Sequence, residues 1–197
     1  MKKYRKYIIF LLGTIIFTFG VSFGNKSLFG GNPMSVLVVG IHKQVSLTIG
    51  TCNLIVAIFE VIVGYFTDKK NITWVTIVAM FTTSYLIDFS NALIPDTNDV
   101  LTRLMYMFAG IALYCFGMGV QQSVKIGYGN LDVFIFGLKK AFNVSKYHTI
   151  KWILDAIFLT IGYFLDAEIG IGTVLLLIFT GLLIEKSRDI SIKIFNI

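Results

Sequence analysis

Six apolar runs constrain this chain more than any other feature: Tyr7–Phe23, Val45–Phe66, Ile72–Ile94, Leu104–Gln121, Ile150–Leu165 and Ile169–Ile184. A helix needs about 20 apolar residues to cross a bilayer. The last two runs are short, and fit with little tilt or with snorkelling side chains at their ends. Two further runs, Met34–Ile41 and Val133–Leu138, are too short to span and read as half-helices or interfacial segments. A soluble chain of 197 residues could not hide a 56% hydrophobic content behind 14% charged residues. The reading is therefore an all-α, polytopic membrane protein with six transmembrane helices.

The charges orient the six runs. Lys2, Lys3, Arg5 and Lys6 precede the first, as in a signal peptide, but no convincing small-x-small cleavage site follows, so the run is expected to be retained. With the N-terminus in the cytoplasm, all of the 17 Lys and Arg residues except Lys26, Lys43 and Arg103 fall inside, as the positive-inside rule requires. Asp96, Asp99, Asp166 and Glu168 fall outside. The net charge of +6 is thus a topology signal. It is split among short loops, which argues against nucleic acid as a partner. Cys52 and Cys115 lie in apolar runs and read as buried thiols. His42 and His148 are far apart and no paired-cysteine motif exists, so neither a metal nor another cofactor is expected.

The chain repeats itself. Gly13, Gly20, Gly30 and Gly40 recur as Gly110, Gly117, Gly127 and Gly137 at an offset of 97, with Val36, Lys43 and Thr76 recurring as Val133, Lys140 and Thr173, and Asp88 aligned with Glu185. Gly64-Tyr65-Phe66-Thr67-Asp68 recurs as Gly162-Tyr163-Phe164-Leu165-Asp166 at an offset of 98, the drift a loop insertion produces. Duplication follows. Residues 1–97 and 98–197 form two three-helix repeats of one membrane domain. Three is odd, so the halves enter the membrane from opposite sides, an arrangement found in many secondary transporters. A duplicated scaffold without transport is the competing reading.

Each half carries the same break. Gly30-Gly31-Asn32-Pro33-Met34-Ser35 precedes one short run, and Gly127-Tyr128-Gly129-Asn130-Leu131-Asp132 precedes the other. Asn32 before Pro33 is a good helix start, and Asn130 or Asp132 is able to cap the second. Helix starts present free amides and a positive dipole end that suit anions. The two breaks line a solute path or, alternatively, begin amphipathic helices lying on opposite membrane faces.

At these breaks the chain resembles the YczE-like membrane proteins of the bacterial YczE/YyaS/YitT group. The family pattern is a Gly-rich turn, then Pro, a bulky residue and Asp, in both halves. Here Pro33-Met34-Ser35 has Ser35 in place of the Asp, while Asn130-Leu131-Asp132 has Asn130 in place of the Pro and keeps Asp132. Gly170-Ile171-Gly172-Thr173 is similar to the family's Gly-x-Gly-Thr, and Ile87-Asp88 to an Ile-Asp near the end of the third span. Asp155 stands where the family tends to have Glu. The resemblance covers about residues 5–186. It implies a multi-spanning protein of the bacterial plasma membrane, here with both termini cytoplasmic, and it implies no activity.

Charged side chains inside spans are costly and usually functional. Asn53, Ala57, Glu60 and Gly64 share one helix face, as do Trp152, Asp155, Leu159, Gly162 and Asp166. The two faces are expected to meet near the axis relating the halves, with Glu60 and Asp155 handling protons or cations, or else neutralised by hydrogen bonds that hold helices together. Asp88 shares a face with Ser84, expected to orient it, and lies near the outer end of its span. No Gly-x-Ser-x-Gly, His-Glu-x-x-His or Asp-rich motif is present, so an enzyme is not expected. The expected function is a small permease or exporter, with or without proton coupling, for an unidentified solute or ion. Its path is expected along Asn32, Pro33, Ser35, Asn53, Glu60, Asp88, Gly129, Asn130, Asp132 and Asp155. The helix starts suit an anion and the acids a cation, so the solute's charge stays open. So do the alternatives: a substrate-binding subunit of a multicomponent uptake system, docking through Gly13 and Gly20, or a regulatory or assembly protein. Expected partners are the bilayer and the solute, with a homo-oligomer or a membrane partner open.

Overall fold

Capping residues and glycines, more than hydropathy, decide where the helices begin and how closely they pack. A computed structural model describes residues 3–196; Lys2, read above as cytoplasmic, lies outside the described residues. Among those residues the chain is all helix and loop: α1 (Lys3–Ser27), α2 (Pro33–Gln44), α3 (Ile49–Asp68), α4 (Trp74–Leu93), α5 (Val100–Ser123), α6 (Asn130–Ala141), α7 (Tyr147–Phe164) and α8 (Ile171–Phe195), with one 3-10 turn, Lys69–Asn71, after α3. Each of the six long apolar runs lies on its own helix, and the two short runs become α2 and α6. By length and composition three segments are able to cross a membrane: Tyr4–Ser27, Ile49–Asn71 and Val100–Ser123. The remaining long helices mix polar residues into their length, such as Thr82, Thr83 and Ser84 on α4, Lys151 and Asp155 on α7, and Glu185, Lys186 and Arg188 on α8.

Local chemistry sets the helix ends. Asn32 caps α2 by accepting from the Ser35 amide at 3.0 Å, with Pro33 in the first turn, as its sequence suggests. Thr48 caps α3, Thr73 and Thr76 form a capping box on α4, and Asp99 caps α5. The hydrogen bonds from Thr102 hold the Asp99 carboxyl below the usual carboxylate range. At α6 the expectation fails. Gly129 occupies the cap position without a side-chain bond, because Asn130 and Asp132 are engaged elsewhere. α8 runs past Ile184 to Phe195, since no Gly or Pro stops it there.

α1 and α5 pack along each other, α8 lies on α5 and α4 on α1, α3 packs on α6 and α4, and α2 on α7 and α3. Glycines allow the α1–α5 approach. A Cβ on Gly13 would stand 3.0 Å from the Gly117 carbonyl oxygen, and one on Gly117 2.8 Å from that of Gly13; only small residues let two helix backbones come this close. α2 and α6, 12 residues each, rise about 18 Å and do not lie on the surface. Leu37, Val38, Phe134 and Ile135 are buried in one cluster with Cys52 and Val56 of α3 and Leu154 and Phe158 of α7. Their last turns are tied down by ion pairs, Lys43–Glu168 at 3.3 Å and Lys140–Asp68 at 2.9 Å. The outer faces are apolar and bare: Phe66, Tyr85, Trp152 and Phe164 are among the many large side chains left exposed. In water such a surface would aggregate, and in a bilayer it is the solvated surface.

Candidate functional site

A cavity of about 780 Å³ lies at the starts of α2 and α6. Its floor is polar, formed by Asn32, Ser35 and Asn53, and its inner wall includes Asn130 and Asp132. Aromatic rings join them among aliphatic and further polar side chains, with Phe17 on α1, Tyr114 on α5, Phe136 on α6 and Tyr147 on α7. The rim is reached at Lys125, Tyr128 and Asp189, all exposed. The volume falls within the range of small-molecule sites, about 300–1,000 Å³.

Each acid has a distinct setting. Glu60 is fully buried; its Oε2 accepts a hydrogen bond from the Asn130 side chain, and its Oε1 has no partner. Asp132 accepts from the Tyr147 hydroxyl. Asp155 accepts from Lys151 Nζ at 2.6 Å, one turn earlier on α7. Asp88 accepts from the Thr48 hydroxyl at 2.6 Å and from the Gly50 amide at 2.7 Å, so it joins α4 to the start of α3. Below that joint Asn53 donates to Ser84 at 3.0 Å.

Asn32, Ser35, Asn53, Gly129, Asn130 and Asp132 therefore line one cavity. Pro33 is buried in the first turn of α2, Glu60 stands behind Asn130, and Asp155 and Asp88 are off the wall. Two expectations are corrected. The Glu60 and Asp155 faces do not meet, because α3 and α7 pack chiefly on α6 and α2 instead of on each other. Ser84 does not orient Asp88; it is held by Asn53 and by the Met80 carbonyl, leaving Asp88 to Thr48 and Gly50. The aromatic lining was absent from the expected site. A tyrosine on an apolar run carries no sequence signal of a cavity, although Tyr147, sitting just after a basic loop, is the one polar-tipped ring at a helix start facing Asp132.

A family model described as "Family of unknown function (DUF6198)" matches residues 4–188. The chain is 29% identical over 201 residues to "Uncharacterized membrane protein YczE" of Bacillus subtilis (strain 168), covering 97% of this chain and 89% of that protein. It is 24% identical over 185 residues to "Uncharacterized protein YyaS" of the same organism, covering 91% and 90%. An "Uncharacterized protein" of Haemophilus influenzae is 22% identical over 195 residues, covering 99% and 88%. No solved structure matches the chain.

Proposed function

The chain belongs to that family, and from this premise we propose that it is a small permease or exporter of the bacterial plasma membrane. It crosses the membrane six times as two inverted three-helix repeats, keeps both termini in the cytoplasm, carries no enzymatic activity and couples transport to protons through Glu60. The packing supports the repeat. Exchanging α1 with α5, α2 with α6, α3 with α7 and α4 with α8 turns α3–α6 into α7–α2 and α1–α4 into α5–α8, and leaves α1–α5 as it is. Close approaches follow the same rule: Gly64 rests against Val133, and Gly162 against Val36. The ion pairs between helices support the orientation, since Lys26–Asp96, Lys43–Glu168 and Lys140–Asp68 each join residues assigned to one side.

One departure from this pattern carries the functional reading. The α3–α4 seam is packed, whereas its counterpart α7–α8 is not among the packed pairs. The cavity lies where that counterpart is open, with Tyr147 of α7 and Arg188 of α8 both on its wall. One seam closed and its repeat-equivalent open is one end state of alternating access. The substrate-subunit reading loses support, because Gly13 and Gly20 face α5 and are not free to dock a partner.

The test begins with a thermal-shift screen of the purified protein across metabolites, ions and pH, since a ligand of the folded state stabilises it. Stabilising solutes are then assayed for flux into proteoliposomes holding a pH-sensitive dye. Flux with coupled proton movement is expected, reduced about tenfold or more by Glu60→Gln, equivalent to about 1.4 kcal/mol of barrier. A solute that binds wild-type protein without flux would refute the permease reading. Unchanged flux in both Glu60→Gln and Asp155→Asn would refute proton coupling.

A further inference from the structure

We propose that the cavity's ligand is an organic cation with an aromatic-sized apolar body, seated on Asp132; this rests on the cavity being the solute site. Four charged residues line the cavity, the acids Asp132 and Asp189 and the bases Lys125 and Arg188, and Arg188 is paired with Asp189. Asp132 has one oxygen on the Tyr147 hydroxyl and forms no ion pair among the described residues. Behind the wall, Glu60 is buried with an oxygen that no donor reaches, and Asn130 links it to the cavity surface. Lys151, one turn along α7 from Tyr147, is committed to Asp155 at 2.6 Å. Of the two basic residues on the cavity wall, Lys125 is exposed and Arg188 is paired with Asp189 and Glu185 on its own helix.

The helix starts do not overturn this. An anion at the start of α6 would meet the carboxylate of Asp132, which already occupies the third position of that helix and complements its dipole. At α2 the exposed amides are partly satisfied by Asn32 itself. The rings favour a cation too. Tyr128, Phe136 and Tyr147 form a continuous edge of rings, with centroids 4.9 and 5.4 Å apart, and ring faces attract cations. The cavity is far larger than a bare ion needs, and no group of three or more potential metal ligands occurs among the described residues.

Tetraphenylphosphonium and tetraphenylborate test the idea, because they share shape and apolarity and differ in the sign of charge. Binding of each to the full-length protein is measured by equilibrium dialysis against detergent-only controls. Tetraphenylphosphonium is expected to bind at least about tenfold more tightly than tetraphenylborate, a difference of about 1.4 kcal/mol, and Asp132→Asn is expected to remove most of that preference. Asp132→Ser, which also removes the carboxylate, is expected to do the same, and serves if Asp132→Asn fails to fold. Equal or tighter tetraphenylborate binding, binding of neither ion, or a preference unchanged by Asp132→Asn each overturns the proposal. Saturable tetraphenylborate binding as tight as that of tetraphenylphosphonium, or tighter, would do so while leaving a solute cavity intact. Failure of the permease reading is separate, and shows as bound ligand without flux.

Discussion

The α3–α4 seam and the α7–α8 seam are counterparts in the proposed repeat, yet only the first is packed. At the first, Asp88 holds Thr48 and Gly50, and Asn53 holds Ser84. In the register that aligns Gly64 with Gly162, Thr48, Gly50 and Asn53 correspond to Lys146, His148 and Lys151; in the α4–α8 register, Ser84 and Asp88 correspond to Gly181 and Glu185. None of the second set crosses the seam. Lys151 bonds Asp155, Glu185 reaches Arg188 on its own helix at 3.6 Å, and His148 stacks on Trp152 with ring centroids 5.8 Å apart. A Cβ at Gly50 would meet Asp88 and the Ser84 carbonyl of α4, so the glycine is what admits α4 here. Five corresponding positions thus differ between the packed seam and the unpacked one.

The most direct way to break this comparison is to forbid one seam from opening. In a background lacking Cys52 and Cys115, Asn53→Cys with Ser84→Cys places two thiols where a hydrogen bond of 3.0 Å now joins the side chains. Cross-linking with a short bifunctional thiol reagent is expected to lower flux at least about tenfold, about 1.4 kcal/mol of barrier, with tetraphenylphosphonium binding retained. The equivalent pair, Lys151→Cys with Gly181→Cys, is expected to cross-link poorly at rest and better once a ligand is bound. Full cross-linking at α3–α4 with flux intact would show that this seam is no gate.

The next contrast sets Asp88 against Glu185. Asp88→Ala removes the acceptor of a hydroxyl and of a backbone amide at a part-buried helix joint. Hydrogen bonds to a charged group contribute about 1.5–3 kcal/mol each, and water will recover part of that at this depth, so a loss of about 2 kcal/mol is expected in thermal unfolding. Glu185→Ala removes only an exposed pair within one helix, and such pairs are worth little. No resolvable change in melting temperature is expected. Equal effects would mean that Asp88 is not a clasp.

How much of this was written in the chain follows from what each feature needs. Apolar runs and Asn32-Pro33 specify helices through neighbours a few residues away, so the eight helices were legible with most ends shifted by about a turn, and α8 running on from Ile184 to Phe195. The close crossing of α1 and α5 was legible in its glycines, because such crossings demand glycine whatever the partner. The asymmetry was not, because Asp88 and Glu185 look alike in sequence. Their difference lies in what Thr48 and Gly50 offer 40 residues upstream. Glu60 was picked out by its place in an apolar run, but its partner on α6 was invisible, since Asn130 read as a cap and the third dimension gave it to Glu60 instead.

The smallest expected effect is also the one that isolates the seams most cleanly, because it adds the same single methyl group to each. A Cβ at Gly50 would stand 2.6 Å from the carboxylate of Asp88 and would press on the α4 backbone at Ser84, so Gly50→Ala must push α4 outward or displace the clasp. Helix propensity returns up to about 1 kcal/mol to any Gly→Ala change, while overpacking costs about 1–3 kcal/mol; the sum is a destabilisation of about 1 kcal/mol. At Gly181 nothing lies within 4 Å, so Gly181→Ala keeps the propensity gain and is expected to raise the melting temperature slightly. Opposite signs sharpen the contrast between a packed seam and an empty one. A Gly181→Ala variant that is destabilised instead would mean that α8 does close onto α7 in the state that dominates in the membrane. The two seams would then have to be assigned the other way round.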